Sequence, residues 1–161
     1  MPSFRTTRSV GHCASDMFDL VADVKAYPQF LPLCQGMRIR KESVDAQGRP
    51  VIVAEMIAGY RAIRETFTTK VTLDRPALKI IVEYIDGPFK RLENIWTFCD
   101  TAPAPGERCD VGFFIDYEFR SRTLGLLVGS MFDTAFRKFS EAFEKRADEK
   151  KAVLSNVAAG P

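Results

Sequence analysis

The chain has 161 residues, a length that suits one ordinary domain built around a single hydrophobic core. Lys and Arg total 23 against 21 Asp and Glu, so the chain lacks the large positive field with which DNA-binding proteins neutralise phosphates. A single histidine leaves no cluster for a zinc or iron site, and four cysteines without CxxC spacing are typical of reduced thiols in a cytosolic protein.

The first forty residues predict one strand and two short helices. Residues 3 to 10 carry Thr, Phe and Val without Gly or Pro, which favours a strand. An N-cap at residues 14 to 16, followed by apolar residues at helical spacing, predicts a short helix that ends near Asp23. Pro28 and Pro32 limit the second helical segment to about one turn.

From Met37 to Phe119 the apolar residues recur with a period of two. In the clearest run, from Val111 to Phe119, alternate residues are apolar while the other face carries acids. Turn signals such as residues 86 to 88 separate the runs at spacings that suit successive hairpins. The pattern predicts an antiparallel meander that brings the sheet to about six or seven strands.

After Arg122 the period returns to that of a helix. One apolar stripe contains Val128, Phe132, Phe136, Phe139 and Phe143. The spacing predicts a helix from near Thr123 to Ala147, long enough to cross the sheet. Residues 148 to 161 show weak periodicity and are predicted to form a disordered tail. We therefore expect one domain over residues 1 to 147, followed by that tail.

This order of elements predicts an α+β fold in which a curved antiparallel sheet closes over the C-terminal helix. Four stretches carry a resemblance to a known family: residues 21 to 32, 64 to 68, 87 to 94 and 119 to 122. They are similar to the coenzyme-Q-binding branch of the helix-grip superfamily, which includes the START lipid-transfer domains and the polyketide cyclases. The resemblance covers roughly residues 3 to 147 and implies a START-like helix-grip fold.

The resemblance implies a deep cavity between sheet and helix that holds coenzyme Q or a related polyprenyl quinone. Such a protein carries the quinone without catalysis and supports respiratory electron transport. A bacterial sub-branch is similar to a toxin that binds the large ribosomal subunit and blocks subunit association. The polyketide cyclases make a cyclase-type enzyme a third hypothesis, although fold alone does not carry function.

The sequence itself favours a binding protein over an enzyme. It has no GxSxG elbow and no glycine-rich phosphate loop, so acyl and phosphoryl transfer lack their usual motifs. We expect no metal and no cofactor. The expected partners are a hydrophobic small molecule and, as alternatives, the ribosome or the periphery of the inner membrane. The expected location is the cytoplasm.

Apolar side chains on the predicted inner faces are the candidate ligand-binding residues. They are Phe67, Leu92, Trp96, Phe113, Tyr117, Val128, Phe132 and Phe136. The patterns alone favour a solid core, because stripes at these periods occur in every packed sheet and helix. The resemblance favours an open cavity instead.

Large apolar side chains also lie at two predicted turns. These candidate portal residues are Phe30, Leu31, Pro32, Pro88 and Phe89. Exposed apolar loop tips can mark a docking surface, and here they would let a quinone leave the membrane. The alternative is that both loops fold onto the core.

The start of the predicted C-terminal helix is unusual. Residues 124 to 132 are apolar nearly all round, yet too short to span a bilayer, so they either dip into a membrane surface or form a covered helix end. Gly125 and Gly129 each cost a helix about 1 kcal/mol relative to Ala. They either allow close approach of a strand or ligand tail, or mark a kink or a later helix start.

Three polar residues are candidate contacts to quinone oxygens: Glu65, Asn94 and Arg91. Glu65 and Asn94 fall on predicted dry faces, and a buried carboxylate needs a partner, so we expect Glu65 to pair with Arg91 or Arg61. A basic surface could meet ribosomal phosphates or could be an ordinary solvated face. Its residues are Arg38, Arg40, Lys41, Arg61, Arg64, Lys90 and Arg91.

Overall fold

The structure, a computed structural model, describes residues 3–60, 62–101 and 108–158, without the side chains of residues 60 and 152–158. A 3-10 helix (Val24–Gln29) follows the first of two α-helices. The other elements, in chain order, are β1 (Ser3–Val10), α1 (Ala14–Ala22), β2 (Cys34–Val44), β3 (Pro50–Tyr60), β4 (Ile63–Asp74), β5 (Lys79–Asp86), β6 (Phe89–Asp100), β7 (Cys109–Phe119) and α2 (Arg122–Ala158).

The strands form one seven-stranded antiparallel sheet in the order β1-β7-β6-β5-β4-β3-β2. Strands β2 to β7 form the predicted meander, because each pairs with the next along the chain. Strand β1 lies beside β7, so α1 and the 3-10 helix connect opposite edges of the sheet. The predicted α+β fold is confirmed.

The alternation along β7 places every second side chain on the inner face of the sheet. Val111, Phe113, Ile115 and Tyr117 are all buried. The register sets Phe113 opposite Trp96 and Tyr117 opposite Leu92, so the inner faces of β7 and β6 form one aromatic surface.

The helix α2 covers this surface, packing against β7, β1 and α1. Phe143 is fully buried, and its ring meets the Trp96 ring edge to face at 5.1 Å. The core therefore lies between α2, α1 and the concave face of the sheet.

The helix α2 is longer than predicted. It continues from Ala147 to Ala158, so the prediction of a disordered tail is wrong for residues 148 to 158, and residues 159 to 161 lie outside the described residues. The buried ring of His12 is 2.6 Å from the Asp148 carboxylate, and the Lys151 ammonium donates to the Gly11 carbonyl at 3.4 Å. These contacts hold the extension against the β1–α1 junction.

Candidate ligand-binding site

The eight predicted ligand-binding residues converge in space. All are buried, and all belong to the same apolar cluster between the sheet and α2. The sheet contributes Phe67, Leu92, Trp96, Phe113 and Tyr117, and α2 contributes the other three. Strand alternation and helix periodicity therefore correctly predicted which residues are buried between the sheet and α2.

The interior between these residues is filled rather than open. Trp96 and Phe113 have ring centroids 4.6 Å apart, and the rings of Tyr117 and Phe136 meet edge to face at 5.0 Å. The cavity under α2 measures about 10 Å³ and is lined by residues that include Phe67 and Ala135. That volume is at the limit for one water molecule and far below the roughly 300–1,000 Å³ of ligand pockets. The cavity found there is thus far smaller than the deep one that the resemblance implies, and the close ring contacts agree with the solid core that the patterns alone favoured.

An open groove lies beside this core, between the end of β7 and the first turns of α2. It has a volume of about 420 Å³, within the usual range for ligand pockets. We call it the β7–α2 groove. Its lining residues are Tyr117, Glu118, Phe119, Ser121, Arg122, Gly125, Gly129, Ser130 and Asp133.

The two glycines of α2 create part of this space. A Cβ atom at Gly129 would have no heavy atom within 4 Å, and one at Gly125 would meet the Phe119 ring at 3.7 Å. Because the helix already begins at Arg122, a later helix start does not explain the glycines. They leave the groove open where larger side chains would occupy it.

A layer of aromatic rings separates the groove from the core. Phe119 stacks on Phe89 at 4.9 Å and meets the Phe132 ring edge to face at 5.4 Å. Phe89 in turn meets Phe67 at 5.3 Å. Phe119 is a site residue that the ligand-residue prediction missed, although its parity with Tyr117 on β7 could have identified it.

Tyr117 contributes a phenol to the lining of the groove. Burial, with a smaller contribution from the Asp133 carboxylate, raises the pKa of the Tyr117 phenol to about 12. The hydroxyl therefore remains protonated at neutral pH and can donate a hydrogen bond to a ligand carbonyl. Asp133 itself is held by Arg137, whose Nε donates to the carboxylate at 2.9 Å.

The predicted portal residues do not form exposed loop tips. Leu31 and Phe89 are buried in the core, and Pro32 and Pro88 are half-buried. Phe30 packs edge to face on Phe143 at 5.1 Å. The alternative that both loops fold onto the core describes these residues. The sequence pattern could not decide this, because the packing partners are distant in the chain.

Two of the predicted polar contacts, Asn94 and Glu65, lie away from the β7–α2 groove. Asn94 lies on the inner face opposite Ile115, and its amide donates to the Phe114 carbonyl at 2.8 Å. Glu65 is half-buried opposite Ala58. Neither residue lines the β7–α2 groove.

Arg91 faces outward, so the expected pairing of Glu65 with Arg91 is wrong. The register shift between Phe89 and Arg91 turns Phe89 inward, whereas Arg91 directly precedes the buried Leu92, so ordinary strand alternation places it on the outer face. There the Arg91 guanidinium binds Asp116 at 3.1 Å and Glu118 at 3.4 Å. The other expected partner, Arg61, lies outside the described residues.

The predicted basic surface does not form one patch. Arg38, Arg40 and Lys41 lie on the edge strand β2, whereas Arg91 lies on β6, four strand spacings or about 19 Å away. Arg40 is paired with Glu55 at 2.7 Å. Of the described members, Arg38, Lys41 and Arg64 are exposed and belong to none of the ion pairs found among the described residues.

The described residues show neither a metal-binding cluster nor a helix able to cross a membrane. They contain no group of three or more His, Cys, Asp or Glu side chains placed to hold a metal ion. No helix in this part of the chain combines the length and hydropathy needed to cross a bilayer.

Comparison with known proteins gives two kinds of relative. The chain is 36% identical over 149 residues to the ribosome association toxin RatA of Escherichia coli (strain K12), an alignment that covers 92% of this chain and 89% of that protein. It is 26% identical over 145 residues to the mitochondrial coenzyme Q-binding protein COQ10 homolog B of Xenopus laevis, covering 89% of this chain and 57% of that protein.

Solved structures share the fold. The 18 kDa protein CC1736 of Caulobacter crescentus matches with a TM-score of 0.73 at 35% identity, over 94% of this chain and 99% of that one. A START superfamily protein of Mycobacterium smegmatis matches with a TM-score of 0.72 at 21% identity, over 91% of this chain and 97% of that one. Residues 10–144 match the family described as polyketide cyclase / dehydrase and lipid transport, and the chain therefore belongs to that family.

Proposed function

We propose that this protein binds a polyprenyl quinone or a closely related apolar lipid in the β7–α2 groove without changing it chemically. The observation that carries the proposal is the open groove of about 420 Å³ beside a core made of aromatic rings. The similarity to a relative named as a coenzyme Q-binding protein supports the choice of ligand class. In this proposal the protein acts in the cytoplasm as a carrier.

The groove suits a ligand with a polar head and an apolar tail. In this proposal the protonated hydroxyl of Tyr117 donates to a quinone carbonyl, while Phe119 and the glycines offer apolar contact. Each methylene removed from water contributes about 0.8 kcal/mol, so a tail of one or two isoprene units gains most of its affinity from burial. A longer tail would need the Phe89–Phe119 pair to separate and admit it to the core.

The chemistry of the groove supports binding rather than catalysis. Of its two carboxylates, Asp133 is paired with Arg137, and Glu118 lies within 3.3 Å of the Lys90 ammonium. A phenol with a pKa near 12 transfers no proton readily at neutral pH. Burial likewise raises the pKa of the Cys34 and Cys109 thiols to about 11, which disfavours the nucleophilic thiolate.

The proposal is tested by titrating the protein with a short-tailed ubiquinone and following the fluorescence of Trp96. This residue is the only tryptophan of the chain, and it is 2% exposed within the same aromatic core. We expect saturable quenching, because quinones accept excitation energy from a nearby indole. Mass spectrometry of an organic extract of the purified protein identifies any lipid that is carried from the cell.

A matched pair of variants on α2 locates the ligand. Gly129→Leu fills the β7–α2 groove where there is open space, and we expect it to weaken quinone binding at least tenfold. Thr134→Leu, at an exposed position of the same helix outside the groove, is expected to bind like the wild type. Equal quenching by both variants, or no saturable binding by the wild type, would remove the proposal.

A second candidate function is association with the large ribosomal subunit. The observation that favours it is the 36% identity, over 92% of the chain, to a relative named as a ribosome association toxin. A protein that acts through its surface needs no interior cavity, which agrees with the filled core. The exposed bases Arg38, Lys41 and Arg64 are available to contact phosphates.

Sedimentation of ribosomal subunits separates this function from quinone carriage. Purified subunits are mixed with excess protein at a magnesium concentration that normally joins them. Loss of the joined particle, together with migration of the protein with the large subunit, would support the second candidate. An unchanged profile would exclude it, whatever the outcome of the quinone titration.

A further inference from the structure

Exposed apolar side chains gather at one end of the molecule. Among the described residues, four large hydrophobic side chains are mostly exposed: Leu126 at 86%, Val44 at 66%, Leu127 at 62% and Ile85 at 52%. Val44 lies at the β2–β3 turn, at the opposite end of the sheet from the other three. Exposed leucines next to each other on a helix cost solvation energy and commonly mark a contact surface.

Hydrogen bonds join the two chain segments that carry this apolar end. The Arg120 amide donates to the Pro88 carbonyl at 2.9 Å, and the Arg120 side chain donates to the Phe89 carbonyl at 3.0 Å. The β5–β6 turn, which follows Ile85, is therefore fixed against the segment that begins α2. The leucines project from a supported surface rather than from a free loop.

The chain segment that carries the leucines is positively charged. From Arg120 to Phe132 the chain contains two arginines, Arg120 and Arg122, and no acid. After Arg122, the exposed residues in the first turns of α2 are uncharged: Thr123, Leu126, Leu127, Ser130 and Thr134. Lys90, with a side chain that is 73% exposed, adds a third base, although Glu118 partly neutralises it and Asp86 is an exposed acid at the same β5–β6 turn.

We infer that Leu126 and Leu127 dock the protein onto a membrane surface that contains anionic lipid. An exposed apolar helix face bordered by bases is suited to the interface between headgroups and acyl chains, where leucines leave water and cations approach lipid phosphates. The neighbouring β7–α2 groove then opens toward the acyl region. The purpose of docking rests on the proposed quinone function, but the docking itself does not depend on it.

Sedimentation with lipid vesicles tests this inference on the full chain. We expect binding to vesicles of phosphatidylcholine and phosphatidylglycerol at 3:1, and at least tenfold weaker binding to phosphatidylcholine alone. The double variant Leu126→Gln/Leu127→Gln should bind the anionic vesicles at least tenfold more weakly than the wild type. Lys90→Glu should weaken binding severalfold, and added salt should do the same.

Val44→Gln is the matched control, because it removes another exposed apolar side chain at the opposite end of the sheet. It should bind vesicles like the wild type. No vesicle binding by the wild type, an equal loss in Val44→Gln, or equal binding to neutral and anionic vesicles would each overturn the inference. Concentration-dependent dimerisation that only the double leucine variant loses, without vesicle binding, would assign the surface to a second copy instead.

The two proposals fail separately. Leu126 and Leu127 do not line the groove. A short-tailed ubiquinone should therefore still quench the Trp96 fluorescence of the double leucine variant in lipid-free buffer. Vesicle binding without quinone binding would leave the docking surface and remove the carrier function. Quinone binding without vesicle binding would leave the carrier function and remove the docking surface.

Discussion

Phe119 stacks on Phe89, with ring centroids 4.9 Å apart and ring planes 25° from parallel. This pair stands between the β7–α2 groove, which is open to solvent, and a core in which Phe89 is fully buried. A ligand held in the groove touches one ring of the pair, and only separation of the two rings would admit it further. Entry of a ligand into the core would therefore require loss of the packing contact between Phe89 and Phe119.

Phe119→Ala is expected to make the core more accessible to a ligand. Since Phe119 is half-buried, the variant should lose about 2 kcal/mol of stability, less than the 3–5 kcal/mol typical of a fully buried phenylalanine. The association rate of a long-tailed ubiquinone should rise, as stopped-flow quenching of Trp96 would record. Phe4→Ala, which removes a half-buried ring outside the groove, controls for general loosening and should leave that rate unchanged.

Gly129→Leu is expected to stabilise the protein while weakening ligand binding. Glycine costs a helix about 1 kcal/mol relative to alanine and leucine costs little, so the free energy of unfolding should rise by roughly 0.5–1 kcal/mol. Urea denaturation checks this, alongside the quinone titration. A less stable variant would mean that the added side chain clashes, contrary to the open space found at this position.

Tyr117→Phe isolates the hydrogen bond proposed for the quinone head. Affinity for a short-tailed ubiquinone should fall roughly threefold to tenfold, corresponding to a net hydrogen bond of about 1 kcal/mol, while an apolar prenyl chain without carbonyls should bind equally to both proteins. Because burial raises the pKa of Tyr117 to about 12, wild-type affinity should stay level from pH 6 to 10 and decline only as the phenol ionises. A decline near neutral pH would point to a different donor.

The Arg91–Asp116 pair predicts how stability responds to acid. Hydrogen bonds from Arg91 lower the pKa of the Asp116 carboxyl below its ordinary value of 3.8. A lowered pKa in the folded state gives stability that is present above pH 4 and is lost as the pH falls through the folded-state value. Asp116→Asn should therefore be less stable than the wild type at pH 7, and the two should converge below pH 3 in urea denaturation. A constant difference across that range would contradict the assignment.

The extension of α2 predicts a local effect at its C-terminal end. Asp148→Ala removes the contact with the buried His12 ring, so amide hydrogens around residues 145 to 151 should exchange faster. Exchange in the Phe132–Phe139 turns should not change, since those turns are held by the sheet. Glu149→Ala, at an exposed neighbouring position where the carboxylate pairs with Arg146 of the same helix, serves as the control.

The sequence could predict which strand residues face the core, because the other side of the sheet is exposed to solvent. Along β7 the acids at 110, 116 and 118 fix the outer face, so Phe113 and Tyr117 had to point inward. The helical stripe fixed Phe132 and Phe136 in the same way. Whether the resulting space is open could not be predicted, because one pattern serves both a cavity wall and a solid core.

The features that sequence did not reveal depend on distant or irregular contacts. The bulge after Phe89 turns that ring into the core, and no residue type at 90 signals it. The end of α2 is held by His12, which is 136 positions from Asp148 in the chain. The exposure of Leu126 and Leu127 follows from how α2 is rotated on the sheet, which helical periodicity defines poorly in a segment that is apolar on all sides.

Nuclear magnetic resonance titration with a short-tailed ubiquinone tests the central claim most directly. The carrier account predicts saturable shifts of the backbone amides of Tyr117, Phe119, Gly125 and Gly129, with smaller changes at the β2–β3 turn. Shifts confined to other surfaces, or none at ligand concentrations that saturate Trp96 quenching, would contradict the placement of the ligand in the β7–α2 groove.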